Sequence, residues 1–258
     1  MDNFKGIFSL EGKKAVIIGA SGGLGGAIAC ALLQNGADVA VTGRNQEKLA
    51  VVREEAEREG RDYMEANPDL MDEKAMEAFR DAVVERFGRI DILVHAAGIN
   101  ILKKAEEYDM ESWNKVMDVN INSMFIAAKV LGQQMIKQHY GRILSLSSAK
   151  SLIGTDQDYL AYCTSKGALN MYTKQLACEW GKYGITCNTI APTFTRTAIN
   201  AFQLDDPVFY QKLVDRIPMG RICTTLDLGA ASVFLCSDAA AFITGQVLSV
   251  DGGLTAKQ

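Results

Sequence analysis

A single-domain α/β fold, a Rossmann-type doubly wound parallel sheet of about seven strands flanked by helices, is predicted by three features of the sequence. Short apolar runs alternate with helical patterns almost from end to end, which implies right-handed crossovers between parallel strands. A turn carrying five glycines in eight residues, 19–26, joins the first apolar run to the first helical pattern. The chain has 258 residues, 48% of them hydrophobic and 22% charged, enough to build one substantial core.

The elements follow in order. The strand runs are 14–18, 38–42, 62–66, 90–95, 142–147, 185–190 and 246–250. They are short, and alternation with helices implies a sheet covered on both faces. Helical patterns fill the intervals at 24–34, 46–59, 73–87 and 112–138, and an apolar-periodic stretch covers 162–182. There is no internal repeat, low-complexity segment or linker, so 1–258 reads as one dinucleotide-binding and catalytic domain.

Composition excludes several classes. A net charge of −4 argues against a nucleic-acid surface, which needs a basic face. No apolar run reaches membrane-spanning length, and residues 1–14 lack the apolar core of a signal peptide, so the chain reads as cytoplasmic with no membrane partner. Six cysteines lie scattered without C-x-x-C spacing, and only His95 and His139 accompany them, so no metal site is expected. The cysteines read as small reduced core residues; Cys163, next to Tyr162, is the one within reach of oxidants.

In such sheets ligands sit beyond the carboxyl ends of the strands, where strand order reverses. After the first strand comes Gly19-Ala20-Ser21-Gly22-Gly23-Leu24-Gly25-Gly26, running straight into a helix. Glycines let the backbone turn and approach a ligand, and the helix offers free N–H groups and the positive end of its dipole to a pyrophosphate. The plainer reading is a turn needed only for close helix–sheet packing. The second strand ends in Thr42-Gly43-Arg44-Asn45, with no acid to bind ribose hydroxyls; Asp38 lies at the wrong end. Arg44 is placed to pair with a 2′-phosphate, with Gly43 leaving room, so NADP(H) is favoured over NAD(H). Otherwise Arg44 is a solvated arginine beside a helix cap at Asn45. Asp69 and Leu70, after the third strand, could flank the adenine. Ala96-Ala97-Gly98, after the fourth, are small enough for a cofactor to pass.

Tyr162 and Lys166 are four residues apart on a helix and share a face. An ammonium beside a phenol favours the phenolate. A shift of ~3 units from the usual value near ~10 needs roughly 4 kcal/mol of differential stabilisation. The obvious use is proton transfer to or from a reacting oxygen. Ser148, fourteen residues earlier and just after a strand, either bonds a substrate carbonyl oxygen or forms a turn. Asn120, inside a long helical stretch, signals a backbone distortion or a buried hydrogen bond.

On these motifs the chain resembles the short-chain dehydrogenase/reductase family over essentially its whole length. Gly19-x-x-x-Gly23-x-Gly25 matches the family's cofactor loop, and Ala97-Gly98 the end of its Asn-Asn-Ala-Gly motif. Asn120, Ser148, Tyr162 and Lys166 match its catalytic tetrad, and Ile243-Thr244-Gly245-Gln246 through Val250-Asp251-Gly252-Gly253 match its closing segment. The resemblance implies hydride transfer between a secondary alcohol and a ketone. Tyr162 would exchange the proton, Ser148 would orient the oxygen, and Lys166 would lower the phenol's pKa and hold the nicotinamide ribose. Asn120 would position a water. It also implies cofactor contacts from Ser21, Gly22, Leu24, Pro192, Thr193 and Thr195, and a homotetramer or homodimer.

Three departures from the family pattern stand out. His95-Ala96 occupies the place of two asparagines. Thr193 replaces the usual glycine after Pro192, where its side chain narrows the nicotinamide or substrate pocket. The Ser-to-Tyr interval is long and carries Asp156-Gln157-Asp158, a polar substrate rim.

The substrate is a small carbonyl or alcohol. The stretch from Leu176-Ala177-Cys178-Glu179-Trp180 to Ala191-Pro192, and the opening Phe8-Ser9-Leu10-Glu11-Gly12-Lys13, look like gluconate 5-dehydrogenase-like members acting on sugar acids and polyols. Lys150 either meets a substrate carboxylate or points to water. Reduction of 3-oxoacyl thioesters, steroids or bile acids stays open, as does a non-catalytic NADP(H)-binding sensor. Residues 194–218, with Phe202, Phe209 and Tyr210, form either a substrate lid or plain helix core.

Overall fold

The structure is a computed structural model that describes residues 5–155, 157–197 and 201–257. The elements run β1 (Lys14–Ile18), α1 (Gly23–Gln34), β2 (Asp38–Thr42), α2 (Gln46–Glu59), β3 (Tyr63–Ala66), α3 (Glu73–Phe87), β4 (Ile92–His95), α4 (Met110–Met117) and α5 (Ser123–Gln138). They continue with β5 (Gly141–Leu146), α6 (Leu160–Trp180), β6 (Ile185–Pro192), α7 (Ala201–Leu204), α8 (Pro207–Val214), α9 (Thr225–Cys236) and β7 (Val247–Val250). The seven strands form one parallel sheet, as the sequence predicts, and its order is β3-β2-β1-β4-β5-β6-β7.

Alternation along each strand sends successive side chains to opposite faces. From β1, Ala15 and Ile17 enter one core with Ile28, Leu32 and Leu33 of α1, Val52 of α2 and Leu228 of α9. Val16 and Ile18 enter the other with Phe79 and Val83 of α3, Met124 of α5 and Leu169 of α6. A separate small cluster, Leu204, Val214, Ile217 and Ile222, lies under α7 and α8.

One expected helix is divided. In place of an unbroken 112–138, α4 begins at Met110 because Asp109 caps it, accepting from the Ser112 N–H at 2.8 Å. A π-type turn over Asp118–Asn122 then separates α4 from α5. Asn120 sits in that widened turn and is fully buried, the distortion its mid-helix position signals.

Among the described residues no helix is long and apolar enough to cross a membrane. The six cysteines are unpaired; Cys187, Cys223 and Cys236 are buried, Cys30 and Cys163 half-buried, and Cys178 exposed.

Candidate active site

From β1 the chain winds outward through β2 and β3, then returns to lay β4 on β1's other side. The loops leaving β1 and β4 therefore face each other across a crevice at the carboxyl end of the sheet. Their approach is close. Gly19 has φ +90°, and a Cβ there would stand 2.7 Å from the Ala97 nitrogen. A Cβ on Gly25 would meet the Gly19 oxygen at 2.4 Å. These two glycines serve the packing of the loop itself, so the plainer reading holds for part of the motif. Gly22 caps α1 without any side-chain bond, leaving first-turn N–H groups uncommitted beside the cavity that Gly22, Gly23, Leu24 and Gly25 line. Those donors fit a pyrophosphate.

The crevice holds two adjoining cavities. One, of about 670 Å³, is lined by Gly19, Ser21, Gly22, Arg44, Asp69, Leu70, Ala97 and Gly98, all anticipated, together with Asn45 and Lys48. Asn45 caps α2, accepting from the Lys48 N–H at 3.0 Å. Arg44 and Lys48 thus stand one helical turn apart at the α2 N-terminus, both exposed. Gly43 lines this cavity beside Arg44, and a Cβ there would meet Ser21 Cβ at 2.6 Å, so its missing side chain also admits Ser21. Asp38 is at the far end of β2, where it pairs with Lys14 and accepts from the Asp62 N–H at 2.8 Å.

The second cavity, of about 460 Å³, gathers Gly98, Ser148, Tyr162, Lys166, Pro192, Thr193 and Thr195. Ser148 follows β5; its Oγ accepts from the Lys150 N–H at 3.2 Å, which leaves the hydroxyl hydrogen available, and the same hydroxyl acts on the Tyr162 phenol to stabilise its charged form. Lys166 lies one turn beyond Tyr162 on α6, with Nζ 5.8 Å from the phenol ring centre and donating to the Leu146 carbonyl at 2.6 Å. A Cβ on Gly98 would come within 3.2 Å of that Nζ, so the absent side chain gives the ammonium its room. Asn120 lines neither cavity. Its side chain clasps the loop after β4 to α6, accepting from the Ile99 N–H at 2.8 Å and donating to Ile99 O at 3.0 Å and Ser165 Oγ at 2.9 Å.

The electrostatics depart from the expectation that Lys166 lowers the phenol. Burial pushes the Tyr162 phenol up, and the opposing pull comes from the Ser148 hydrogen bond. Burial also lowers Lys166 to about 8. Each charged form is disfavoured because the pocket removes water from both groups. His95, in the place of a family asparagine, is buried and lowered to about 3, by desolvation first and by the Lys166 charge second. Ser123 Oγ donates to Val119 O at 2.7 Å, so it accepts from His95 Nε2 at 2.8 Å, and Nδ1 has no partner among the described residues.

Across this second cavity stand residues the sequence reading did not single out: Tyr159, Leu213, Arg216, Ile217 and Leu254. Phe194, from the expected lid, lines it too. Lys150 lines it as well, with Nζ 4.8 Å from the Tyr159 ring centre and 3.5 Å from Gln157 Oε1. Gln157 and Asp158 are exposed, as a polar rim requires, and Asp156 lies outside the described residues. Burial keeps the half-buried Cys163 thiol above its usual pKa, which makes it a poor nucleophile.

Known proteins share this arrangement. A family model described as enoyl-(acyl carrier protein) reductase matches residues 19–255. The D-threitol dehydrogenase of Mycolicibacterium smegmatis is 36% identical, over 97% of this chain and 95% of its own. The 2-dehydro-3-deoxy-D-gluconate 5-dehydrogenase of Bacillus subtilis is 38% identical, over 95% and 96%. The crystal structure of a gluconate 5-dehydrogenase from Burkholderia cenocepacia, in complex with NADP and tartrate, superposes with a TM-score of 0.90 at 34% identity, covering 98% of each chain.

Proposed function

The chain belongs to the short-chain dehydrogenase/reductase family, and from that premise we propose that it interconverts a secondary alcohol and a ketone on a sugar acid or polyol, with NADP(H) preferred. One observation carries the reading. Ser148, Tyr162 and Lys166 line a single cavity with the glycine loop and Pro192-Thr193, at the point where strand order reverses.

When bound, the nicotinamide supplies or accepts the hydride at the substrate carbon. The protein manages the oxygen. Tyr162 gives its proton to the ketone oxygen in reduction and takes the hydroxyl proton in oxidation. The Ser148 hydroxyl and the Tyr162 phenol line the same cavity, so a substrate oxygen bound between them finds donors in place as charge develops. Lys166 has spent one N–H on Leu146 and keeps two, suited to a ribose hydroxyl and to the phenolate. Asn120 holds the Ile99 loop against α6, so its side chain sets the distance between the β4 loop and the tyrosine helix. A water at that turn is the remaining part of its role. At the adenosine end Arg44 and Lys48 supply two cations and β2 no acid, which supports a 2′-phosphate.

A second reading, reduction of a 3-oxoacyl thioester, steroid or bile acid, draws on one feature: Phe194, Leu213, Ile217 and Leu254 make one side of the cavity apolar. Exposed Met110, Phe125 and Met171 on α4, α5 and α6 support self-association as a homotetramer or homodimer in the cytoplasm.

A screen of alcohols and ketones from all these classes, read as NADPH absorbance in both directions, tests the proposal. Turnover of sugar acids or polyols is expected. Preference for an acyl thioester or a sterol would replace it with the second reading, and tight NADPH binding without turnover of anything would make the chain a sensor.

A further inference from the structure

Of the chain's eleven arginines, nine close on an aspartate or glutamate. The two that do not, among the described residues, are Arg44 and Arg216, and neither side chain takes a hydrogen bond. An unpaired arginine on open surface costs little and means little. These two are not scattered: Arg44 lines the adenosine cavity and Arg216 lines the cavity of Ser148 and Tyr162. Each half of the crevice thus has one uncommitted guanidinium.

Arg216 follows α8, with its backbone N–H bonded to Leu213 O at 3.3 Å. The acid beside it in sequence, Asp215, is engaged by Gln211 Nε2 at 2.6 Å. Among the described residues no aspartate or glutamate lines this cavity, whereas Lys150, Lys166 and Arg216 do. A neutral polyol gains nothing from such a field, and an apolar acyl chain is penalised beside it. A carboxylate is attracted into it, and the planar guanidinium offers that group a two-pronged contact.

We infer that Arg216 is the specificity-determining residue that reads a substrate carboxylate, and that the physiological substrate is a hydroxy acid of the sugar-acid class. This rests on the dehydrogenase reading above. The carboxylate is a spectator: in oxidation the carbinol carbon gives its hydride to NADP+, the hydroxyl gives its proton to Tyr162, and the products are the keto acid, NADPH and a proton. Lys150, which lines the same cavity from the Ser148 side, adds positive potential.

The test measures kcat/KM with NADP+ for D-gluconate, D-galactonate and D-threonate, each against the alditol of equal chain length, in wild type and two variants. Wild type should prefer the acids. Arg216→Leu should lower the acid-to-alditol ratio roughly 10- to 100-fold, through KM for the acid, with KM for NADP+ within about twofold. Arg216→Lys should recover part of the ratio. An unchanged ratio in Arg216→Leu, or a wild-type preference for the alditols, would overturn the inference and leave the dehydrogenase standing. Failure of every acid and alditol to turn over would defeat both. A second readout, calorimetric binding of D-gluconate to the NADPH-loaded protein, should weaken by a similar factor in Arg216→Leu; equal affinity in both proteins would also overturn the assignment.

Discussion

The two walls of the crevice are built differently. On the sheet side, the strands that carry the β4 loop and Ser148 are buried from end to end, and the strand that carries the glycine loop is buried beyond Lys14, all pinned between two large cores. On the opposite side, the described residues of 194–218 pack on a satellite cluster of four buried side chains. There Phe194 meets Phe209 edge-on at 6.2 Å, Phe209 and Tyr210 are half-buried, and Phe202 stays 72% exposed. The aromatics of this segment therefore divide: Phe209 and Tyr210 are helix core, whereas Phe202 is not. The groups to which proton transfer is assigned under the proposed function sit on the rigid wall, and Arg216, proposed to read the substrate, sits on the weakly anchored one.

The largest expected effect falls on the rigid wall. Tyr162→Phe removes the proton carrier without touching the fold, and turnover should drop by on the order of 10³-fold while NADPH binding persists. Wild-type alcohol oxidation should quicken as pH rises, because burial holds the phenol above its usual pKa and the phenolate is the base; Tyr162→Phe should lose that slope. Stopped-flow absorbance across pH checks both.

The same wall should be the acid-sensitive one. His95 is lowered to about 3 in the fold against about 6.5 unfolded. Between those values the unfolded chain binds more protons, so stability rises with pH. It is fully present above about 6.5 and is lost as pH falls toward 3. The contribution is on the order of 5 kcal/mol, and His95→Asn should flatten that limb of a urea-unfolding series.

Next comes cofactor choice. Arg44→Leu should reduce the NADPH-to-NADH affinity ratio by roughly 10- to 100-fold, read by fluorescence titration. An unchanged ratio would leave Lys48 as the only cation serving the phosphate. The smallest effect belongs to the satellite wall. Phe209→Ala should leave the global unfolding midpoint within a few degrees, while hydrogen exchange around α8 accelerates and KM for substrate rises. A collapse of global stability would mean that the two walls fold as one unit.

Where local chemistry fixes an element, its bounds are readable from sequence. Helices α2 and α3 match expectation to the residue because Asn45 and Asp72 cap one end and left-handed Gly60 and Gly88 close the other. Ser148, Tyr162 and Lys166 were readable because one turn of helix and one strand end place them. Asn120's clasp was not, since its partners lie 21 and 45 residues away. Arg216 carries no local signal either; only the docking of α8 beside the closing segment brings it to the cavity. Lys48 did carry one, the four-residue spacing from Arg44 at a helix start. The lowered phenol was expected from the Tyr-x-x-x-Lys spacing alone, which reports neighbours but not the water that burial removes.

A crystal structure of the ternary complex with NADP+ and D-gluconate tests the account most directly. The substrate hydroxyl should lie within hydrogen-bond distance of both Tyr162 and Ser148, the carboxylate against Arg216, and the 2′-phosphate against Arg44. A sugar acid bound with its hydroxyls turned away from Tyr162, or a nucleotide phosphate far from Arg44, would contradict the division of labour between the two walls.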